Sequence, residues 1–96
     1  MLDPQKRIVI PEDFGYEDLE GKEVHYYYSL DEKLFYVKVG EIVSQDECFV
    51  AKRKIADGKR RFRVIQEVLE KYNCEDCFLA KKGNRIYLIP LKEKED

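Results

Sequence analysis

The chain carries its opening motif twice, 54 residues apart, and this limits the folds open to it more than any other feature. Asp3-Pro4-Gln5-Lys6-Arg7-Ile8-Val9-Ile10-Pro11-Glu12 is echoed by Asp57-Gly58-Lys59-Arg60-Arg61-Phe62-Arg63-Val64-Ile65-Gln66. Asp3 aligns with Asp57, Lys6 with Arg60, Arg7 with Arg61, Ile8 with Phe62 and Ile10 with Val64. Val24 falls opposite Phe78 at the same offset, and Leu34-Phe35-Tyr36-Val37 falls opposite Ile86-Tyr87-Leu88-Ile89 once two residues are dropped from a turn. A unit this short cannot bury its own apolar face. The two copies are therefore expected to cover each other within a single domain over 1–96, with repeat one at 3–39, a connector at 40–46 and repeat two at 47–91.

Each copy reads as strand, short helix, strand, hairpin, strand. Lys6–Pro11 alternates with a period of two, and Pro11 removes a ladder donor and ends the strand. Pro11–Leu19 has room for a short helix, which Gly15 weakens. Strands are predicted at Val24–Ser29, with Tyr26 and Tyr28 on one face and Tyr27 on the other, and at Leu34–Val39 across a turn at Leu30–Lys33. A leading strand, Glu47–Ile55, has no counterpart in repeat one. Ala56-Asp57-Gly58 is a hairpin signal, which makes Arg60–Val64 the strand across that turn. Ile65, Val68, Leu69 and Tyr72 form the stripe of an amphipathic helix. Cys77–Lys81 and Arg85–Leu91 close the chain as a hairpin, and Lys92–Asp96 is a charged tail. The fold class is mainly β with short helices, an α+β chain.

Charge is distributed unevenly along this plan. Residues 1–47 hold five Lys/Arg against twelve Asp/Glu, and residues 48–96 hold thirteen against eight. Within Lys52–Arg63 seven of twelve residues are basic and Asp57 alone is acidic. One reading is attraction between an acidic and a basic half. The other is a surface for a polyanion. No stretch is long and apolar enough for a membrane span, and Met1-Leu2-Asp3-Pro4 holds no apolar signal region, so the cytoplasm is the expected compartment. Three cysteines, an odd number, argue against a complete disulfide framework.

The two Asp-x-x-x-Arg motifs, Asp3 to Arg7 and Asp57 to Arg61, each followed by a short helix and a strand hairpin, resemble the SpoVT/AbrB-like swapped-hairpin domain. In that family two halves interlock into a small β-barrel. Two copies in one chain resemble the tandem arrangement of its MraZ branch. Lys6 and Arg60 stand where the family has a turn Gly, and Ile65 stands where its motif ends in Pro, as Pro11 does here. The resemblance implies a swapped-hairpin β-barrel formed by two intrachain repeats and a DNA-binding transcription regulator. The implied partner is double-stranded DNA, contacted through the basic hairpin of repeat two.

On this reading Arg60 and Arg61 carry recognition, since the guanidinium fork suits guanine edges and phosphates. Lys52, Arg53, Lys54, Lys59 and Arg63 add phosphate contacts, with Lys52 and Lys54 on one strand face and Arg53 on the other. Lys6 and Arg7 are the corresponding pair in the acidic copy. The bland alternative makes Arg61 a partner of Asp57 within its turn. Cys74-Glu75-Asp76-Cys77 has the spacing of a metal knuckle, but only Cys48 and His25 remain to complete it, so small apolar packing is expected and no metal or other cofactor. The tyrosine run falls in the acidic half and is expected to pack rather than to stack on nucleic acid. One His, isolated Ser29 and Ser44, and no Gly-rich phosphate loop leave catalysis unsupported, and the chain is not expected to be an enzyme. Two alternatives stand beside the regulator. One is a protein-interaction module with decayed DNA binding, whose acidic half meets a protein partner or a second copy of the chain. The other is an antitoxin, disfavoured because only Lys92–Asp96 follow Leu91.

Overall fold

The computed structural model describes residues 2–16, 19, 21–40, 48–55 and 60–91. The connector residues 41–46, the Ala56-Asp57-Gly58 turn, Lys59 and the tail 92–96 lie outside these. The element order is β1 (Arg7–Val9), a 3-10 turn (Glu12–Phe14), β2 (Glu23–Ser29), β3 (Leu34–Val39), β4 (Cys48–Lys54), β5 (Arg61–Arg63), α1 (Gln66–Tyr72), β6 (Cys77–Lys82) and β7 (Arg85–Pro90). The chain is mainly β. Its described strands form two sheets, a two-stranded ribbon β1-β5 and a five-stranded sheet ordered β4-β2-β3-β7-β6, and the two do not close into one barrel.

The repeat is written into the pairing as an approximate two-fold axis. In the ribbon, Ile8 lies directly opposite Phe62, its own repeat equivalent, with Arg7 opposite Arg63 and Val9 opposite Arg61. The flanking bonds obey the same operation. Ile10 N–H donates to Arg60 C=O and Val64 N–H to Lys6 C=O, both at 2.8 Å. At the other crossing of the axis, Tyr36 of β3 lies opposite Tyr87 of β7. The matching faces are therefore Phe35 with Ile86, Tyr36 with Tyr87 and Val37 with Leu88, three dropped residues rather than the two expected. The four-residue turn Leu30–Lys33 shrinks to Gly83-Asn84, and β6 is one residue shorter than β2. A slip of one residue turns every side chain to the other face, so only the corrected offset keeps the apolar residues inside.

Ile8, Ile10, Phe62 and Val64 meet in one core with Val24, Tyr26, Phe35, Val37, Val68, Ile86 and Leu88, all at most 3% exposed. The ribbon and α1 thus cover one face of the large sheet. Buried Tyr27, Tyr36 and Tyr87 form a second cluster on its opposite face, with ring centroids 5.4 Å and 5.5 Å apart in sequence of contact. The repeats diverge after the ribbon. Pro11 leads into a single 3-10 turn, which Gly15 ends at φ 92°. In repeat two the same position opens α1, anchored by Val68 and Tyr72 and ended by Asn73 in the left-handed region. The Tyr72 hydroxyl donates to Leu88 C=O and accepts the Phe35 N–H, each at 2.6 Å.

The hairpin expected across Asp57-Gly58 is replaced by a different pairing. β4 pairs with β2, and β5 pairs with β1. β4 gains a long ladder along β2 and β5 buries Phe62 against β1, and these long-range pairings override the local turn signal.

Candidate nucleic-acid interface

The ribbon builds the candidate site because a two-residue period gives it two unlike faces. Ile8 and Phe62 point into the core, at 2% and 1% exposure. Arg7, Val9, Arg61 and Arg63 take the outward positions, with Arg63 exposed and Val9 half exposed. Three arginines and one valine thus form a two-by-two array across the approximate two-fold axis. Arg7 and Arg63 are direct cross-strand neighbours, and like charges so placed destabilise a strand pair.

Asp3 answers part of that charge. Its Oδ2 accepts the Arg7 Nε–H at 2.8 Å and lies 3.5 Å from Arg61 Nη1. Its Oδ1 accepts the N–H groups of Gln5 and Arg7, each at 2.9 Å. The backbone bond from Arg7 is the main reason the Asp3 carboxyl sits below its ordinary range; the Gln5 N–H and the Arg7 guanidinium assist, against a smaller opposing effect of burial. One carboxylate therefore orients an arginine from each repeat. The Asp3 to Arg7 spacing was visible in the sequence, but its reach to Arg61 arises only when β1 and β5 pair. Asp57, the partner expected for Arg61, lies outside the described residues. Arg61 Nε is shielded and has no hydrogen-bond partner among the described residues.

The other expected contacts separate. Arg60 is turned inward: Nε, Nη1 and Nη2 donate to the carbonyls of Ile10, Tyr16 and Pro11 at 3.1, 2.9 and 3.1 Å. It staples the segment after β1 to repeat two and presents no free fork to a ligand. Lys6, its repeat equivalent, is exposed. Both adopt positive φ, 66° at Lys6 and 52° at Arg60, a region glycine enters at no steric cost. Lys52, Arg53 and Lys54 are exposed on β4, at the edge of the large sheet and not on a hairpin with Arg61. Lys52 and Lys54 lie opposite His25 and Glu23, on the tyrosine face, while Arg53 lies opposite Val24, on the ribbon's side. Arg53 Nη1 donates to Lys52 C=O at 2.7 Å. Lys59 lies outside the described residues.

The cysteines do not converge. Cys48 and Cys77 stand on the two edge strands, four inter-strand steps apart, roughly 19 Å at about 4.8 Å per step. Burial pushes the Cys77 thiol up to about 12, far from the thiolate a metal takes. Among the described residues no group of His, Cys, Asp and Glu is placed to hold a metal ion, and no helix is long and apolar enough to cross a membrane. Comparison with family models, with curated proteins and with solved structures finds no match.

Proposed function

We propose that this chain is a DNA-binding transcription regulator of the SpoVT/AbrB-like class, acting in the cytoplasm, and that the β1-β5 ribbon is its contact with double-stranded DNA. The observation that carries the reading is the Arg7–Arg63 pair, directly opposed on the outward face of the ribbon, with Asp3 the one carboxylate bonded there among the described residues. A polyanion relieves that repulsion, and a two-stranded ribbon has the width the major groove admits. The left-handed backbone at Lys6 and Arg60 supports the family likeness, because these are the positions at which the family carries its turn glycine. Pairing of β1 with β5 and of β3 with β7 supports a swapped-hairpin relation between the repeats.

The roles follow from the geometry. Arg7 and Arg61, aimed by Asp3, read base edges. Arg63, exposed beside them, holds phosphate, and Lys6 and Arg53 extend the basic rim. Arg60 supports the scaffold. Titrating the protein against a selected duplex at increasing salt tests this. Neutralising about three to five phosphates gives a log–log slope of roughly −3 to −4.5. Arg63→Ala should flatten that slope by about one unit for all sequences, while Arg7→Ala should cost about 1–3 kcal/mol mainly on the preferred site. A folded wild-type protein that binds no duplex at low salt defeats the regulator and leaves the protein-interaction module.

A further inference from the structure

The approximate two-fold axis leaves one position unfilled. β4 covers the outer edge of β2, yet β6, the repeat equivalent of β2, has no strand on its outer edge among the described residues. Both edges of the sheet carry one pattern: Cys48-Phe49-Val50-Ala51-Lys52-Arg53 on β4 and Cys77-Phe78-Leu79-Ala80-Lys81-Lys82 on β6. The two differ in how receptive they are. β4 has a register break where it passes Tyr26 and Tyr27 and ends in three successive cations, both of which blunt an edge. β6 pairs with β7 without a break over six residues.

The bonding phase of β6 shows what its edge offers. Leu91 N–H donates to Asp76 C=O, which continues the register in which Cys77 faces Pro90. Antiparallel ladders alternate, so Phe78, Ala80 and Lys82 bond inward to β7, and the N–H and C=O groups of Leu79 and Lys81 point away from the sheet. The outward N–H of Cys77 is closed off by Asp76 Oδ1 at 2.8 Å.

We infer that β6 is a self-pairing edge and that its occupant is β6 of a second copy of this chain, joined antiparallel about Leu79. The register satisfies three demands at once. Leu79 faces Leu79 of the second copy as a hydrogen-bonded pair, matching its outward groups. Phe78, 41% exposed, faces the small Ala80 of the second copy, and the reverse holds by symmetry. Lys82 faces Asp76 of the second copy, whose Oδ2 carries no bond among the described residues. Size and charge therefore complement each other twice across one closed axis. Lys81 does not interfere, because its ammonium is turned onto Phe14 C=O at 2.8 Å. The inference is independent of DNA binding.

Sedimentation of the full chain from about 1 to 500 μM, spanning weak affinities, tests it. A monomer–dimer equilibrium within that range is expected, weakened by added salt as the Lys82–Asp76 pairs are screened. Phe78→Lys removes two cross-strand contacts and should raise the dissociation constant about tenfold or more. Lys82→Glu should raise it several-fold. Phe49→Lys, the same change on the β4 edge, should leave it unchanged. Phe78, Lys82 and Phe49 are all exposed, and far-ultraviolet circular dichroism checks that each variant is folded. A wild-type protein that stays monomeric throughout overturns the inference. So does a dimer indifferent to Phe78→Lys and Lys82→Glu, or one weakened equally by Phe49→Lys, which would mean head-to-tail chains of β4 on β6.

Discussion

The two repeats of this chain share a backbone plan and use it for different work. In repeat one the segment after the ribbon strand is a single turn between Pro11 and Gly15, and the position at left-handed φ carries a solvent-exposed Lys6. In repeat two the matching segment is α1, and the matching left-handed residue is Arg60, bonded to three carbonyls of repeat one. Symmetry is kept at the two strand crossings on the axis and lost in the segments beside the ribbon, even where these pack onto the other repeat. The lesson is that the axis is maintained by packing, through Ile8 on Phe62 and Tyr36 on Tyr87, and that side chains off the axis are free to specialise.

The largest expected effect tests whether the halves are one unit. Phe62→Ala empties the ribbon's core position and should cost about 3–5 kcal/mol. Because both repeats line that core, urea unfolding should remain a single transition by far- and near-ultraviolet dichroism alike. Two separated transitions would show halves that fold alone. A smaller effect concerns the hydroxyls that reach across. Tyr72→Phe strands both the Phe35 N–H and the Leu88 C=O and should cost about 1–3 kcal/mol, and Tyr26→Phe strands the Arg63 C=O and takes away the oxygen that the Ile65 N–H meets, for a cost of similar size. A variant of either tyrosine that unfolds like the natural protein in the same denaturation series would mean that its hydroxyl adds nothing to the tie between the repeats.

The left-handed pair supplies a contrast of sign. Lys6→Gly removes a steric cost and no bond, and should stabilise by about 0.5–1 kcal/mol. Arg60→Gly relieves the same strain but loses three bonds to carbonyls, and should destabilise by about 1–3 kcal/mol. Thermal unfolding of the two variants decides whether the repeats differ here as described. The smallest effect is the pH dependence from Asp3. Its folded carboxyl titrates below the unfolded one, so the stabilisation is fully present above the unfolded value of about 3.9 and is lost as pH falls through the folded value. Asp3→Asn should therefore flatten the acid limb of the stability curve. An unchanged limb would remove Asp3 from the ribbon's electrostatics.

Much of the architecture was legible because periodicity survives folding. The strand positions, the α1 stripe of Val68 and Tyr72, and the meeting of Ile8, Ile10, Phe62 and Val64 follow from apolar spacing alone. The pairing of β4 was not legible. Asp57-Gly58 is a strong local signal for a hairpin, yet the strand on its N-terminal side finds a better partner in β2, and turn chemistry carries no information on rival partners. That single difference dismantles the basic hairpin as a site: Lys52, Arg53 and Lys54 move to a sheet edge, and Arg61 and Arg63 join Arg7 instead. The inward turn of Arg60 was not legible for a related reason. A cationic residue beside others reads as surface charge, and nothing in the sequence marks the three carbonyls that its guanidinium meets.

The tie between β1 and β5 also sets a tempo for folding. Strands that pair about fifty residues apart cannot meet until a long loop closes, whereas the β2–β3 and β6–β7 hairpins close across a few residues. The hairpins should form within microseconds, and the ribbon should wait for the two halves to find each other. Reversing the order of events would need only a shorter path between repeats. A disulfide between cysteines placed at Val9 and Arg61, which face each other across the ribbon, closes that loop in advance, so the cross-linked chain should refold faster than the natural one, with the same final pairing.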